Sequence, residues 1–272
     1  MSKFSVSMCV YWGDNPDHFK IAVESVVNQT LVPDEVILVV DGPVSKEIDD
    51  IIAKISNNSI FKIIRLKENM GHGNARKIGL ENCKNNLVAI MDSDDISQEN
   101  RFELQINAFN SDDTLDVVGG IITEFIDLPE NIIGKRMVPF EDSDIKCFLK
   151  KRCPMNLVTV MFKKDSINKV GGFIDWYCEE DYYLWIRMAM ANMKFLNLNN
   201  VLVNVRVGND MYNRRGGYKY FKSELKLQKY MKVNNIIGLK LFVTNVIKRF
   251  IVQVMLPVKI RGYVFRKFAR EK

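Results

Sequence analysis

Two acidic clusters carry the residue types best suited to chemistry: Asp92-Ser93-Asp94-Asp95 and Glu179-Glu180-Asp181. The first follows Leu87–Met91, five apolar residues in a row after polar Asn85-Asn86, which reads as a strand buried on both faces. In open α/β sheets ligands bind at the C-terminal ends of the strands, where these acids stand. Three carboxylates so close repel one another and call for a cation or well-placed donors. Asp-x-Asp on alternate positions aims two carboxylates the same way, an arrangement suited to Mg²⁺ or Mn²⁺ shared with a substrate phosphate. The same residues also read as an acidic turn, with Asp94 or Asp95 capping a helix that begins near Ser97. The second cluster has an equally plain reading as a helix start, where the dipole favours acids.

Other chemistries lack their residues. His18 and His72 are the only histidines, which argues against a zinc site, and G-x-S-x-G and the P-loop pattern are both absent. Gly71-His72-Gly73, with Asp92 about 20 residues on, is part of a dinucleotide fingerprint, but Arg76 stands where the third glycine belongs. Tyr11-Trp12-Gly13-Asp14 is not the basic, Gly-rich loop of a sugar-1-phosphate nucleotidyltransferase.

These residues need a scaffold, and the chain alternates strand and helix patterns. Strands are predicted at Phe4–Tyr11, Val36–Val40, Phe61–Leu66, Leu87–Met91, Val117–Phe125, Leu157–Phe162 and Val201–Val207. Helices are predicted at His18–Asn28, Ile48–Ile55, Asn74–Cys83, Gln98–Phe109, Ser143–Lys150 and Tyr182–Met190, with Ile126–Phe140 looser. This order predicts an α/β fold with a mixed, mostly parallel sheet and helices on both faces. The 272 residues, 47% hydrophobic and 26% charged, suit one large domain with or without an appendage. Five cysteines, odd in number and without C-x-x-C, favour reduced thiols in a cytosol, and Lys3 precedes no signal-peptide pattern.

The net charge of +6 is unevenly spread: residues 214–272 carry 16 basic and 2 acidic side chains, the remainder 23 and 31. We therefore divide the chain into a body, 1–213, and a basic helical extension, 214–272. Within the extension, Val243, Val246, Ile247, Phe250 and Val254 share one helical face and Lys240, Thr244 and Lys248 another. No apolar run reaches the ~18 residues of a membrane span. The pattern fits a helix lying on a bilayer or one packed on the body. The basic residues that follow, Lys259, Arg261, Arg266, Lys267, Arg270 and Lys272, favour an anionic membrane surface over nucleic acid, because the body is acidic.

Taken in order, several segments resemble the family 2 glycosyltransferases, which have the GT-A (Rossmann-like) fold. They are Val6–Tyr11, Ala22–Thr30, Glu35–Gly42, then Asn69, Gly71, Ala75, Arg76 and Gly79, then Met91–Asp95, and Glu180-Asp181 with Leu184-Trp185. The resemblance implies an enzyme in which Asp41 meets the uracil of a UDP-sugar and Arg76 lies near the nucleotide. It places Asp92 by the ribose, Asp94 on a divalent cation (Mn²⁺ or Mg²⁺) that grips the diphosphate, and Asp95 beside them in the donor site. Asp181 is the implied general base, with Glu180 next to it. The chain departs from the family at Val40, often an acid, and at Lys77, often Asn.

The stretch Val203–Tyr212, followed by Arg214-Arg215-Gly216-Gly217, resembles a narrower group. Those bacterial enzymes build O-antigen, capsule or exopolysaccharide units on undecaprenyl diphosphate. Several move glucose or galactose from a UDP-sugar, β1,3, to lipid-linked GlcNAc or GalNAc. Arg206, Arg214 and Arg215 are then candidates to grip a diphosphate, since Arg forks fit phosphate oxygens; the plain reading is a solvated basic loop. Tyr182, Tyr183 and Trp185 read as acceptor-stacking rings or as core, with core preferred for Trp185. The implied place is the inner face of the bacterial cell membrane, reached from the cytoplasm. The alternative function is a silent GT-A-like protein that binds UDP-sugar or membrane without turnover.

Overall fold

The computed structural model describes residues 2–208, 216–257 and 260–262. Strand β1 (Phe4–Tyr11) is paired in parallel with β2 (Glu35–Asp41) on one side and β4 (Leu87–Met91) on the other, and β3 (Phe61–Arg65) extends β2. Every residue of β2 and β4 is buried, as their unbroken apolar runs require. Alternation sorts their side chains between two cores. Val36, Leu38 and Val40 meet α1 (Pro16–Val27) and α2 (Lys46–Ile55), while Ile37 and Val39 meet the opposite layer, which includes α3 (His72–Asn82). Helix α3 approaches the sheet closely at Gly79, where a Cβ would collide with Ser7 Oγ.

Beyond β4 the sheet becomes mixed. β8 (Met161–Lys163) is antiparallel to β4 and to β6 (Val117–Phe125). β6 runs parallel to the long β9 (Phe195–Arg206), whose end pairs with the two-residue β5 (Ile96–Ser97). β7 (Ile132–Arg136), in the stretch expected to be loose, pairs with the end of β6. The helices α4 (Arg101–Ser111), α5 (Asp142–Leu149), α6 (Lys164–Lys169) and α7 (Glu180–Met190) complete the two covering layers.

Three sequence expectations change. No helix begins near Ser97: β5 intervenes, and α4 starts at Arg101 after Asn100, so neither Asp94 nor Asp95 is a helix cap. The strand expected over Leu157–Phe162 opens instead as a 3₁₀ turn, Leu157–Thr159. There the Thr159 hydroxyl donates to Asn156 O (2.7 Å) and accepts from Gly120 N (3.1 Å), taking the place of ladder bonds. The last strand starts at Phe195, six residues before the expected Val201, because Asn197, Asn199 and Asn200 obscure its pattern.

Helices α8 (Tyr218–Val233) and α9 (Leu239–Phe250), with the π-helical turn Ile251–Met255, fold back onto the body. Leu227 and Met231 of α8 are fully buried in the same core cluster as Ile37 and Val88. α9 is held by Leu241 and Phe242, which pack against the core, and by polar atoms: Asn245 Nδ2 donates to Lys150 O and Gln228 Oε1, both at 2.9 Å, and Arg249 pairs with Glu224. Much of its apolar side is turned outward. Leu239, Val243, Ile247, Phe250 and Ile251 are 39–66% exposed. Among the described residues no helix is long and apolar enough to cross a membrane. Arg214, Arg215, Lys259 and the basic residues from Arg266 onward lie outside the described residues.

Candidate active site

The C-terminal ends of β1, β2 and β4, with the end of β9, enclose a cleft of about 500 Å³. Its acidic wall is the turn after β4, and Asp92, Asp94 and Asp95 all line it. Their surroundings separate them. Arg76 reaches from α3 to Asp92 Oδ1 (2.9 Å), and the same guanidinium meets Glu180 Oε1 (3.2 Å) from α7. Burial alone would push Asp92 upward, but Arg76 and His72 outweigh it and hold its carboxyl below the ordinary range. Asp95 is buried and accepts from Arg206 N (2.8 Å). Burial together with the charges of Asp94 and Asp92 pushes Asp95 well up. Asp94 is the exposed member of the three. Behind them the fully buried Arg101 donates to Ile90 O (2.8 Å); burial lowers it to about 9, which leaves it charged at neutral pH.

The nucleotide side is built around Asp41. Its Oδ1 accepts from Met70 N (2.7 Å) and its Oδ2 from Gly71 N (3.1 Å), so this carboxylate fastens the loop ahead of α3 to the sheet. Each oxygen keeps capacity for a second donor on the cleft side. Gly42, at φ +85°, lets that loop come close; a Cβ would lie 2.7 Å from Asn69 N. Arg206 lines this same cleft, with Nε on Asp94 O (3.2 Å), Nη1 on Asp127 O (2.9 Å) and its guanidinium over the Phe125 ring. Of the three arginine candidates for a diphosphate, Arg206 thus stands beside the metal-binding candidate Asp94. Arg76 does not line the cleft: it is a buried bridge between two acids.

Asp181 opens onto a second cleft of about 300 Å³, which shares no lining residue with the first. It lies in the first turn of α7, and its Oδ1 accepts from Tyr182 N (2.7 Å) while Cys153 Sγ lies 3.7 Å from Oδ2. The helix-start reading of Glu179-Glu180-Asp181 therefore holds alongside any chemical role. Glu180 faces Arg76, whereas Asp181 and Glu179 both line the second cleft, with Glu179 on the side of Glu224 and Arg249. Tyr182 and Trp185 are buried, and Tyr183 packs between Trp176 and Tyr230 at ring distances of 4.5 and 5.0 Å.

Glu179 gives a pH-dependent stability. Burial, then Glu224, then Asp181 raise its carboxyl well above the usual 4.5, against the opposing pull of Tyr220 and Arg249. The folded state thus holds this proton more tightly than the unfolded chain. Its stabilising effect is complete below about pH 4.5 and is lost as pH rises through the folded value. Glu179→Gln is expected to narrow the fall in Tm between pH 6 and pH 9; an unchanged fall in a pH series of thermal melts would contradict it.

Sequence reasoning missed Asp14 and Arg101. Asp14 lines the donor cleft, accepts from Ser93 Oγ (2.8 Å) and Tyr11 N (3.0 Å), and is raised by burial. Its one signal was an acid right after the first strand. Arg101 was hidden inside an ordinary amphipathic helix pattern.

Residues 5–174 match the family model "Glycosyl transferase family 2". UDP-Gal:alpha-D-GlcNAc-diphosphoundecaprenol beta-1,3-galactosyltransferase of Escherichia coli is 37% identical over 98% of this chain and 97% of its own length. The amylovoran biosynthesis glycosyltransferase AmsE of Erwinia amylovora is 34% identical over 97% of this chain and 98% of its own. Among solved structures, a mannosyltransferase from Pyrobaculum calidifontis in complex with GDP-Man and Mn²⁺ superposes with a TM-score of 0.60. It is 13% identical and covers 95% of this chain and 71% of that one, a likeness of fold alone, which agrees with the GT-A reading. With its carboxylate cluster at the strand ends and its matching sequence along the whole length, this chain belongs to glycosyltransferase family 2 and is a glycosyltransferase.

Proposed function

We propose that the enzyme moves a hexose, galactose or glucose, from a UDP-sugar to GlcNAc or GalNAc carried on undecaprenyl diphosphate, forming a β1,3 link during O-antigen, capsule or exopolysaccharide assembly. The observation that carries this reading is the near full-length likeness to the E. coli galactosyltransferase, which extends through the C-terminal helices that wall the second cleft. UDP occupies the 500 Å³ cleft, with Asp41 on the base side and Arg206 near the diphosphate. Asp94 is the residue that would hold a divalent cation. An exposed carboxylate that lines the donor cleft fits Mn²⁺ or Mg²⁺, which take most of their ligands from water and phosphate. Bound there, the ion supplies Lewis-acid stabilisation of the charge that develops on the leaving UDP.

Asp181 takes the proton from the acceptor hydroxyl, and one in-line displacement inverts the anomeric carbon. Glu180 and Arg76 act as positioning residues. The buried guanidinium ties the donor-side Asp92 to the first turn of α7, so the helix that carries the base is registered against the nucleotide cleft. Leaving one of these charges unpaired would cost about 3–5 kcal/mol. Adding UDP-galactose or UDP-glucose, Mn²⁺ and a short-chain GlcNAc-diphosphate lipid is expected to release UDP. Release with neither donor would overturn the reading.

The outward apolar side of α9 docks on an anionic bilayer in this reading, at the inner face of the cell membrane. Residues 214–272 then form the extension that brings the body to its lipid-borne substrate. Basic side chains near such a surface contribute about 1 kcal/mol each. Full-length enzyme is expected to float with anionic vesicles at low salt and to be released by high salt. The variant carrying Val243→Glu and Ile247→Glu should stay at the bottom of the gradient, and equal flotation of both proteins would contradict the docking face.

A further inference from the structure

We infer that Arg101 is the built-in counter-charge of the Asp92–Asp95 turn, a positioning residue whose buried guanidinium keeps the acid turn formed before any metal or nucleotide arrives. The inference deepens the reading of this turn as the cation site, and its first test does not depend on that reading.

Arg101 stands where an arginine is costly. It is fully buried, and it opens α4, at the positive end of that helix's dipole. An arginine so buried normally faces a carboxylate. Among the described residues Arg101 forms no ion pair, and its hydrogen bonds go to uncharged acceptors. Nη2 donates to Ile90 O (2.8 Å) and Val160 O (3.4 Å), Nη1 to Met91 Sδ (3.5 Å) and Nε to Gln105 Oε1 (3.2 Å).

Hydrogen bonding alone does not call for the charge. The β4–β8 ladder ends at Ala89 and Met161, and Arg101 donates to Ile90 O one residue past that end. Gln105, one turn on, does similar work with a neutral amide: its Nε2 donates to Val118 O and Thr159 O, both at 2.8 Å. The charge of Arg101 therefore answers to something else.

What lies next to it is the acid turn. Ile90 and Met91, which it holds, are the last two residues before Asp92. Arg76, the cation bonded to Asp92, is divided between Asp92 and Glu180. Carboxylates crowded into one turn repel one another. Burial lowers Arg101 to about 9, while Asp92 and then Asp95 pull it back toward the charged form. Arg101 lines neither cleft, so it acts through the turn and not by contact with a substrate. A fixed cation there lets a divalent ion and UDP come and go without the turn having to form anew in each cycle.

The test is a set of thermal melts of the full-length enzyme in chelator. Arg101→Gln removes the charge and keeps an amide donor for Ile90 O, whereas Arg101→Lys loses the fork and keeps the charge. Each is made alone and together with Asp92→Asn. Arg101→Gln is expected to lower Tm by about 2 °C or more beyond its cost in the Asp92→Asn background, as two coupled charges should. Arg101→Lys should cost the same in both backgrounds. A residue that only packed or hydrogen-bonded would give additive losses for both variants, because none of the bonds of Arg101 involves Asp92. Additive losses for Arg101→Gln, or equal non-additivity for Arg101→Lys, would overturn the inference. If Arg101→Gln alone fails to fold, the double variant decides: its folding supports the pairing, and failure of both overturns it. Mn²⁺ is then added to the folded variants. The ion replaces the missing charge, so it should raise Tm more in Arg101→Gln than in Arg101→Lys; an equal or smaller rise would also overturn the inference. No rise in the wild-type enzyme would instead count against the cation assigned to Asp94, and the melts in chelator then decide on Arg101 by themselves.

Discussion

Asp94→Ala is expected to lose nearly all transfer activity, and excess Mn²⁺ is not expected to restore it. The three acids after β4 are not equivalent. Asp92 is bound to Arg76, and Asp95 is buried against Arg206 N, whereas Asp94 is exposed on the donor cleft. A divalent cation at a leaving diphosphate contributes several kcal/mol to the transition state. Each ~1.4 kcal/mol is a factor of ten in rate, so removal of its protein anchor should cost about 10²- to 10⁴-fold. Neither neighbour can take over without giving up a buried partner, which is why added metal should not help. Steady-state rates across a Mn²⁺ titration measure this. A chelator that leaves wild-type turnover unchanged would contradict the assignment of Asp94.

The second large effect is expected at Asp181. Asp181→Asn keeps the shape of the side chain and removes its basicity, so turnover should fall by about 10²-fold or more, the usual contribution of a general base. UDP-sugar affinity should be unchanged, because Asp181 lines the second cleft and not the donor cleft. The replacement also keeps an oxygen to accept from Tyr182 N, so α7 should start where it does now. Separate measurement of UDP-sugar binding and of the rate distinguishes the roles. A parallel loss of nucleotide affinity would move Asp181 into the donor site.

Most of the scaffold was legible because β1, β2, β4 and β6 are buried runs whose pattern has one interpretation. β1 and β6 begin and end where the sequence placed them. The position of Asp94 on the cleft was equally legible, being that of an acid at the end of a buried strand. What could not be read depends on contacts between distant segments. Arg76 was taken for a nucleotide neighbour; its two partners lie 16 and 104 residues away, and only the fold, which brings the turn after β4 and the start of α7 within its reach, reveals the bridge. The orientation of α9 was hidden for a similar reason. Its hydrophobic periodicity fitted a bilayer or the body equally, and Asn245 and Arg249, polar residues on the other side, decide which side is buried. The second cleft had no sequence motif, since its cations are separated by up to about a hundred residues. The short β5 is set by two residues paired with the distant β9, and the 3₁₀ turn before β8 by a side-chain hydrogen bond of Thr159, neither of which periodicity records.

Proton NMR of the product formed from UDP-galactose and GlcNAc-diphosphate-phenylundecyl, with UDP-glucose in parallel, tests the proposed reaction most directly. The α-linked donor should yield a β-galactoside on the 3-hydroxyl of GlcNAc, formed only with divalent metal present. An α-linked product would contradict single displacement by Asp181, and transfer to the phosphate-free glycoside at the same rate would contradict a diphosphate-borne acceptor.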